Sequence, residues 1–168
     1  MDTTDPIITF NDQGVCNHCT EYLNVRADYS YKGNETDKQF QSLVEKIKSD
    51  GKNRSYDCVV GLSGGVDSSY VAYLAKKNGL RVLGVHMDNG WNSEEAVQNI
   101  KNIAQILGID YESYVLNWEE FKDIQLAFLK ASIPEADTPT DIAILSSLHK
   151  VAKKYGVKPV VHLGQIYF

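Results

Sequence analysis

The sequence has few cysteines, few prolines and no surplus of positive charge, and each shortage excludes something. Three cysteines among 168 residues are an odd number that cannot all pair within one chain, so a disulfide scaffold is out. Four prolines and 12 glycines are too few for a collagen-like or low-complexity chain. No apolar run approaches the ~18 residues of a membrane helix, and the opening MDTTDPIITF lacks the basic and apolar regions of a signal peptide. Reducing cytosol is the expected compartment, with no membrane partner. Lysine and arginine total 17 against 22 aspartates and glutamates, a net charge of −5 that argues against a broad nucleic-acid footprint. With 43% hydrophobic and 23% charged residues, the composition is that of one ordinary globular domain able to build its own core.

Residues 1–35 are polar and mixed, with turn formers at Asn11-Asp12-Gln13-Gly14 and Lys32-Gly33-Asn34, and are expected to be a loop-rich appendage. Residues 36–168 form the main domain. Thr36 and Gln39 have capping-box spacing, and Phe40, Leu43, Val44 and Ile47 follow at helical period until Gly51. From Tyr56 the texture changes to short β-branched runs alternating with helical segments, the pattern of βα units on a parallel sheet. Strands are predicted over residues 58–62, 81–87, 109–116 and 160–163. The intervening helices carry Val66, Tyr70, Tyr73 and Leu74, then Val97, Ile100, Ala104 and Leu107, then Phe121, Ile124 and Phe128, and finally Ile144, Leu148, Val151 and Tyr155. Asn92 with Glu95, Asn117 with Glu120, and Pro139-Thr140-Asp141 mark three helix starts.

The chemistry concentrates in Ser63-Gly64-Gly65-Val66-Asp67-Ser68-Ser69, at the carboxyl end of the first strand and the start of a helix. Adjacent glycines let backbone approach a ligand closely, and the unpaired N–H groups of a helix start favour anions. Ser63, Ser68 and Ser69 add hydroxyls. Such a loop cradles phosphate oxygens, yet it has neither a Walker lysine nor dinucleotide-fingerprint spacing. Asp67 either caps the helix or holds Mg²⁺ against a pyrophosphate. A strand, this loop and a helix together resemble the PP-loop of the ATP pyrophosphatases, which split ATP between its α and β phosphates.

Cys16-Asn17-His18-Cys19 has spacing that puts two thiolates on one metal, so Cys16 and Cys19 are candidate zinc ligands, with redox pairing or a plain turn as alternatives. After the second strand, Asp88 suits a ribose or a metal and Trp91 a stacked base or sugar, although Asn89-Gly90 also makes an ordinary turn. Thr140 and Asp141 either contact substrate or cap the last helix. His149 reads as a partly buried helix residue, His162 as a strand residue near the sheet end, and Cys58 as a small core filler.

Four phrases carry a narrower resemblance: Gly14-Val15-Cys16-Asn17-His18-Cys19, Asp57-Cys58-Val59-Val60-Gly61-Leu62, His86-Met87-Asp88-Asn89-Gly90-Trp91-Asn92, and Thr138-Pro139-Thr140-Asp141. In these the chain resembles the N-acetyl sugar amidotransferases of bacterial lipopolysaccharide and surface-polysaccharide synthesis. The resemblance implies a three-layer, Rossmann-like adenine nucleotide alpha hydrolase fold of the α/β class, with a mostly parallel sheet in the order 3-2-1-4. It implies ATP and Mg²⁺ as cofactors, and a reaction in which the N-acetyl carbonyl of a nucleotide-linked sugar is adenylated and ammonia then displaces AMP. A glutamine amidotransferase subunit would supply the ammonia. Ser63, Gly64, Gly65, Asp67, Ser68 and Ser69 would hold the phosphates, with Ser63, Asp67 and Ser68 nearest the chemistry. Adenine would lie near Leu62, His86, Met87 and Asp88. Related enzymes continue past the strand at which Phe168 ends this chain, so a C-terminally truncated domain is expected. The alternatives are a tRNA sulfur transferase with the same loop and an ATP-binding fragment without turnover.

Overall fold

A computed structural model describes residues 2–29, 33–162 and 165–168. The chain divides into two compact units, residues 1–42 and 43–168.

In the first unit, Asn11 closes a tight turn. Its side-chain oxygen accepts from the N–H groups of Gln13 and Val15, while Gly14 takes φ +75°. Phe10 and Cys16 then bridge in antiparallel fashion, and helix α1 (Asn17–Tyr29) follows. The expectation of a loop-rich segment missed α1 because that helix has no apolar stripe to announce it. Helix α2 (Asn34–Asp50) begins before the expected cap. Thr36 therefore lies inside it, and Gln39 bonds Glu35 rather than closing a capping box. The predicted turn at Lys32 falls outside the described residues.

The second unit holds the sheet. Strands β1 (Cys58–Gly61), β2 (Val82–Asp88), β3 (Asp110–Val115) and β4 (Val160–His162) are parallel, and β5 (Gln165–Tyr167) adds an antiparallel edge, giving the order β3-β2-β1-β4-β5. The 3-2-1-4 expectation holds, with β5 as an addition where no further covering element was foreseen. Residues 163 and 164, predicted to end β4 and follow it, are outside the described residues. Helices α3 (Val66–Lys77) and α4 (Glu94–Leu107) cover one face; α6 (Thr138–Tyr155) packs on β1, β2 and β4 from the other, with α5 (Trp118–Lys130) beside it. Val59, Leu83, Val85, Leu148, Val151 and Val160 meet in the core.

Helix ends follow local chemistry, with two corrections. Ser93, not Asn92, caps α4 by accepting from the Ala96 N–H, and the Asn92 amide donates instead to Asp88. Asn117 caps α5 as expected. The apolar residues of α3 are not its buried face: Val66 is 80% exposed, Tyr70 and Tyr73 are exposed, and Ala72 is the buried residue. The close approach of α3 to the sheet needs a small side chain there.

The base of the sheet is tied by Asp57, 4% exposed, whose carboxylate accepts from the Arg81 backbone N–H at 2.7 Å and from its guanidinium. Arg81 also donates to the carbonyls of Gly51 and Arg54. Burial disfavours the Asp57 charge, but Arg81's hydrogen bonds and charge outweigh it and hold the carboxyl below its ordinary range. Asp57→Ala should cost about 3 kcal/mol of unfolding free energy, since it strips a buried network of its acceptor. Because the folded state lowers this pKa, the contribution is complete above the unfolded value of about 4 and disappears as pH falls through the folded one. Urea unfolding at pH 7 and below pH 4 should show the difference between wild type and variant shrinking in acid.

Candidate active site

Strand β1 runs out at Gly61 and the chain leaves the sheet through Leu62, Ser63 and the two glycines before α3 begins. Chain order reverses here, since β2 lies on one side of β1 and β4 on the other, and α/β folds bind ligands at such a switch point. Gly64 has φ +79°, and a Cβ on it would lie 2.9 Å from the Ala96 Cα in α4. The Asn99 amide donates to the Gly64 carbonyl from the same helix. Glycine is thus required at 64 by conformation and by space. At Gly65, φ is −85° and a Cβ would meet the Ser63 hydroxyl at 3.4 Å, an ordinary contact. This position matters because as N-cap it offers no side-chain oxygen, and the first N–H groups of α3 are left for an external anion.

The serine hydroxyls hold the loop itself. Ser68 Oγ accepts from the Ser63 N–H at 3.2 Å, donates to the Gly65 carbonyl at 3.2 Å and lies 3.1 Å from Ser63 Oγ. Ser69 Oγ donates to the same carbonyl. Their first task is to shape the cradle. Asp67 sits in the first turn of α3, past the cap position, with its carboxylate exposed and in no hydrogen bond among the described residues. That excludes the capping alternative. The donor chemistry at Asp67 fits a hard cation: an unpaired carboxylate beside a phosphate cradle suits Mg²⁺.

Over the strand ends lies a cavity of about 260 Å³ that brings together Leu62, Ser63, Ser68, His86, Met87, Thr140 and Asp141. Gly64, Gly65, Asp67, Ser69, Asp88 and Trp91 are not in its wall. Asp88 organises the following loop, its Oδ1 accepting from the Gly90 N–H at 2.9 Å and from the Asn92 amide at 3.0 Å. Thr140 and Asp141 stand in the first turn of α6 facing the cavity; the helix's N-cap is Asp137, which makes no side-chain cap bond. His86 is buried. Its Nδ1 lies 3.1 Å from the Leu62 carbonyl, which can only accept, so Nδ1 is the donor, and Nε2 is buried without a partner among the described residues.

Sequence reasoning missed Asn89, Asn92 and Ile144 in the wall and undervalued His162, which reaches the cavity from β4. Burial pushes the His162 imidazole below its ordinary value, against the pull of the Asp141 carboxylate. Only the switch-point topology could have brought it in. His149, expected to be partly buried, is exposed and lies edge-on to Tyr167.

The zinc expectation does not fit the donor set. Cys16 is buried, Cys19 exposed, and the Cys19 N–H donates to Cys16 Sγ at 3.3 Å, which lowers the Cys16 pKa. His18 is engaged with Asp5 at 2.7 Å, and no group of three metal-binding side chains occurs among the described residues. A structural zinc needs four ligands, and this pair supplies two. Among the described residues no helix is long and apolar enough to cross a membrane.

With its glycine loop opening a helix at the switch point of a parallel sheet, the chain is an α/β protein of the NAD synthase-like PP-loop ATP pyrophosphatase class. The sequence profile of the NAD synthase family matches residues 36–144, and the chain belongs to that family. Similar curated proteins include the tRNA-specific 2-thiouridylase MnmA of Chromobacterium violaceum, 35% identical over 125 residues that cover 68% of this chain and 30% of that protein. The tRNA-specific 2-thiouridylase MnmA 1 of Geobacillus kaustophilus is 38% identical over 91 residues, covering 48% of this chain and 24% of that one. The chain thus spans about a quarter to a third of the length of these relatives. Among solved structures, the glutamine-dependent NAD⁺ synthetase of Acinetobacter baumannii in complex with ADP superposes with a TM-score of 0.55 at 19% identity, over 78% of this chain and 26% of that one. The NMN synthetase of Francisella tularensis gives 0.53 at 22% identity, over 71% and 50%. These likenesses establish the adenine nucleotide alpha hydrolase fold.

Gly64→Ala should weaken ATP binding at least tenfold in calorimetry and lower the melting temperature, because φ and the Ala96 backbone both forbid the methyl group. Gly65→Ala should leave the melting temperature within a few degrees of wild type. Equal melting temperatures for the two variants would contradict the loop geometry.

Proposed function

We propose that this chain is the ATP-binding part of an amidotransferase synthetase that adenylates the carbonyl of an N-acetyl sugar for surface-polysaccharide synthesis. The observation that carries the reading is the uncapped start of α3 behind Gly64 and Gly65, beside a cavity at the switch point. In this reading residues 36–168 are the PP-loop domain and residues 1–35 an appendage. The backbone N–H groups of the loop and α3 hold the β and γ phosphates, Asp67 holds Mg²⁺, and adenine lies over Leu62 and the segment His86, Met87 and Asp88. Mg²⁺ would supply charge neutralisation on the leaving pyrophosphate.

The chain's own residues mostly position and exclude water. The acetamido carbonyl oxygen attacks the α-phosphorus as the bond to the bridging oxygen breaks, and pyrophosphate leaves into the positive end of α3. Ammonia then adds to the activated carbon, AMP departs with the original oxygen, and loss of a proton leaves an acetamidino group. A glutamine amidotransferase subunit is the proposed ammonia source, by analogy with the glutamine-dependent solved relative.

A second reading, thiolation of tRNA, is favoured by the names of the curated relatives. It needs a reactive sulfur at the site and a basic surface. Cys58, the sole cysteine of the second unit, is 0% exposed in β1 with its thiol pushed up to about 12 by burial, and the net charge is −5. Neither observation supplies what thiolation needs within this part of the relatives' length.

With Mg-ATP, UDP-N-acetylhexosamines and ammonium chloride, pyrophosphate and AMP should form in equal amounts, and Asp67→Asn should slow their release at least tenfold. Release dependent on tRNA and indifferent to sugar would replace this reading with the second. ADP as product would exclude both, and ATP binding without any pyrophosphate release would mark a binding module.

A further inference from the structure

A second cavity, of about 500 Å³, lies outside the nucleotide pocket and is walled by Trp91, Gln125, Leu126, Leu129, Asp123 and Asp137. Trp91 is 65% exposed, yet it is held firmly. Its indole N–H donates to Gln125 Oε1 at 2.8 Å, its ring meets Trp118 edge-on with centroids 5.3 Å apart, and its backbone N–H donates to Asn89 Oδ1. Gly90, at φ +82°, lets the chain turn tightly enough for this contact, since a Cβ there would come within 3.0 Å of the Trp118 ring. A large aromatic face fixed in one orientation and open to solvent is a preformed contact surface.

The two cavities have no lining residue in common but draw on neighbouring stretches of the chain. Asn89 and Asn92 line the nucleotide pocket while Trp91, between them, lines the second cavity; Thr140 and Asp141 face the first while Ala136 and Asp137, just upstream, face the second. A molecule lying on Trp91 would therefore sit beside the loop and the start of α6 that also line the nucleotide pocket.

We infer that this second cavity is the subsite for the pyranose ring of the acceptor, with Trp91 as its stacking platform; the inference rests on the proposed sugar reading. A pyranose has one face of C–H groups, whose partly positive hydrogens suit the negative face of an indole, and a rim of hydroxyls. The lining has the matching composition: Trp91, Leu126 and Leu129 for the C–H face, the Asp123 and Asp137 carboxylates as hydroxyl acceptors, and the Lys122 ammonium as a donor.

Saturation-transfer NMR on the whole chain tests the subsite directly, using the methyl glycosides of N-acetylglucosamine, N-acetylgalactosamine and N-acetylmannosamine as probes and uridine monophosphate as the base control. At least one glycoside should receive saturable transfer, strongest at its ring C–H hydrogens. Trp91→Ala should weaken it about fivefold, the effect of one lost aromatic contact, and Trp91→Phe should keep most of it. Trp91 and Trp118 are the two tryptophans of the chain, so wild-type tryptophan fluorescence should change over the same concentration range. No transfer to any glycoside, equal transfer in Trp91→Ala with an unchanged melting temperature, or Trp91-dependent binding of uridine monophosphate alone would overturn the subsite. The sugar reading fails separately: glycosides would then bind through Trp91 while UDP-N-acetylhexosamines elicit no pyrophosphate from ATP.

Discussion

The candidate site depends on β1 being paired on both sides. Val59 and Val60 register with Leu83 and Gly84 of β2 on one flank and with Val160 and Val161 of β4 on the other. A strand so held cannot slide by a residue without moving its whole buried set, so the point where it ends is determined to within one residue. Leu62 continues the tie after β1 closes, its N–H donating to the Val85 carbonyl at 2.8 Å and its own carbonyl engaging His86. The glycine loop thus leaves a rigid support.

From that support the loop is shaped by two kinds of contact. Internal serine bonds, Ser68 to Ser63 and Gly65 and Ser69 to Gly65, set its curvature. External contacts from α4, the Asn99 amide and the Ala96 backbone, set how far it can move. The result is a helix start without a side-chain cap at the strand ends, with Asp67 beside it in no hydrogen bond among the described residues. Preorganised donors of this kind stabilise developing negative charge without rearranging, which is what departure of pyrophosphate asks.

Much of this was legible in the sequence for local reasons. Short strand-like runs between helical segments named β1 to β4, Asn117 announced α5, and the loop between strand and helix marked the candidate site, because each rests on neighbours in the chain. The misses are equally physical. Helix α1 has no apolar stripe, and the tyrosines of α3 look like a core face although Ala72 is what packs. Ser93 and Asn92 are adjacent and both can cap; Asn92 lost because Asp88 engages it. His162 and Asn89 joined the cavity through topology, which period and propensity do not encode.

By itself, then, the sequence determined the α/β class and the glycine loop between a strand and a helix, since these depend on spacing and on residue type, while the strand order was implied by the resemblance and membership of the NAD synthase family came from the match to its profile. Tertiary structure decided that Gly64 rather than Gly65 is sterically required. It also decided that Asp67 has no partner among the described residues while Asp88 is occupied, and that Trp91 bonds Gln125 outside the wall of the first cavity. The reason is the same in each case: what a side chain can do depends on which partners have already claimed its atoms, and those partners come from elements distant in the chain.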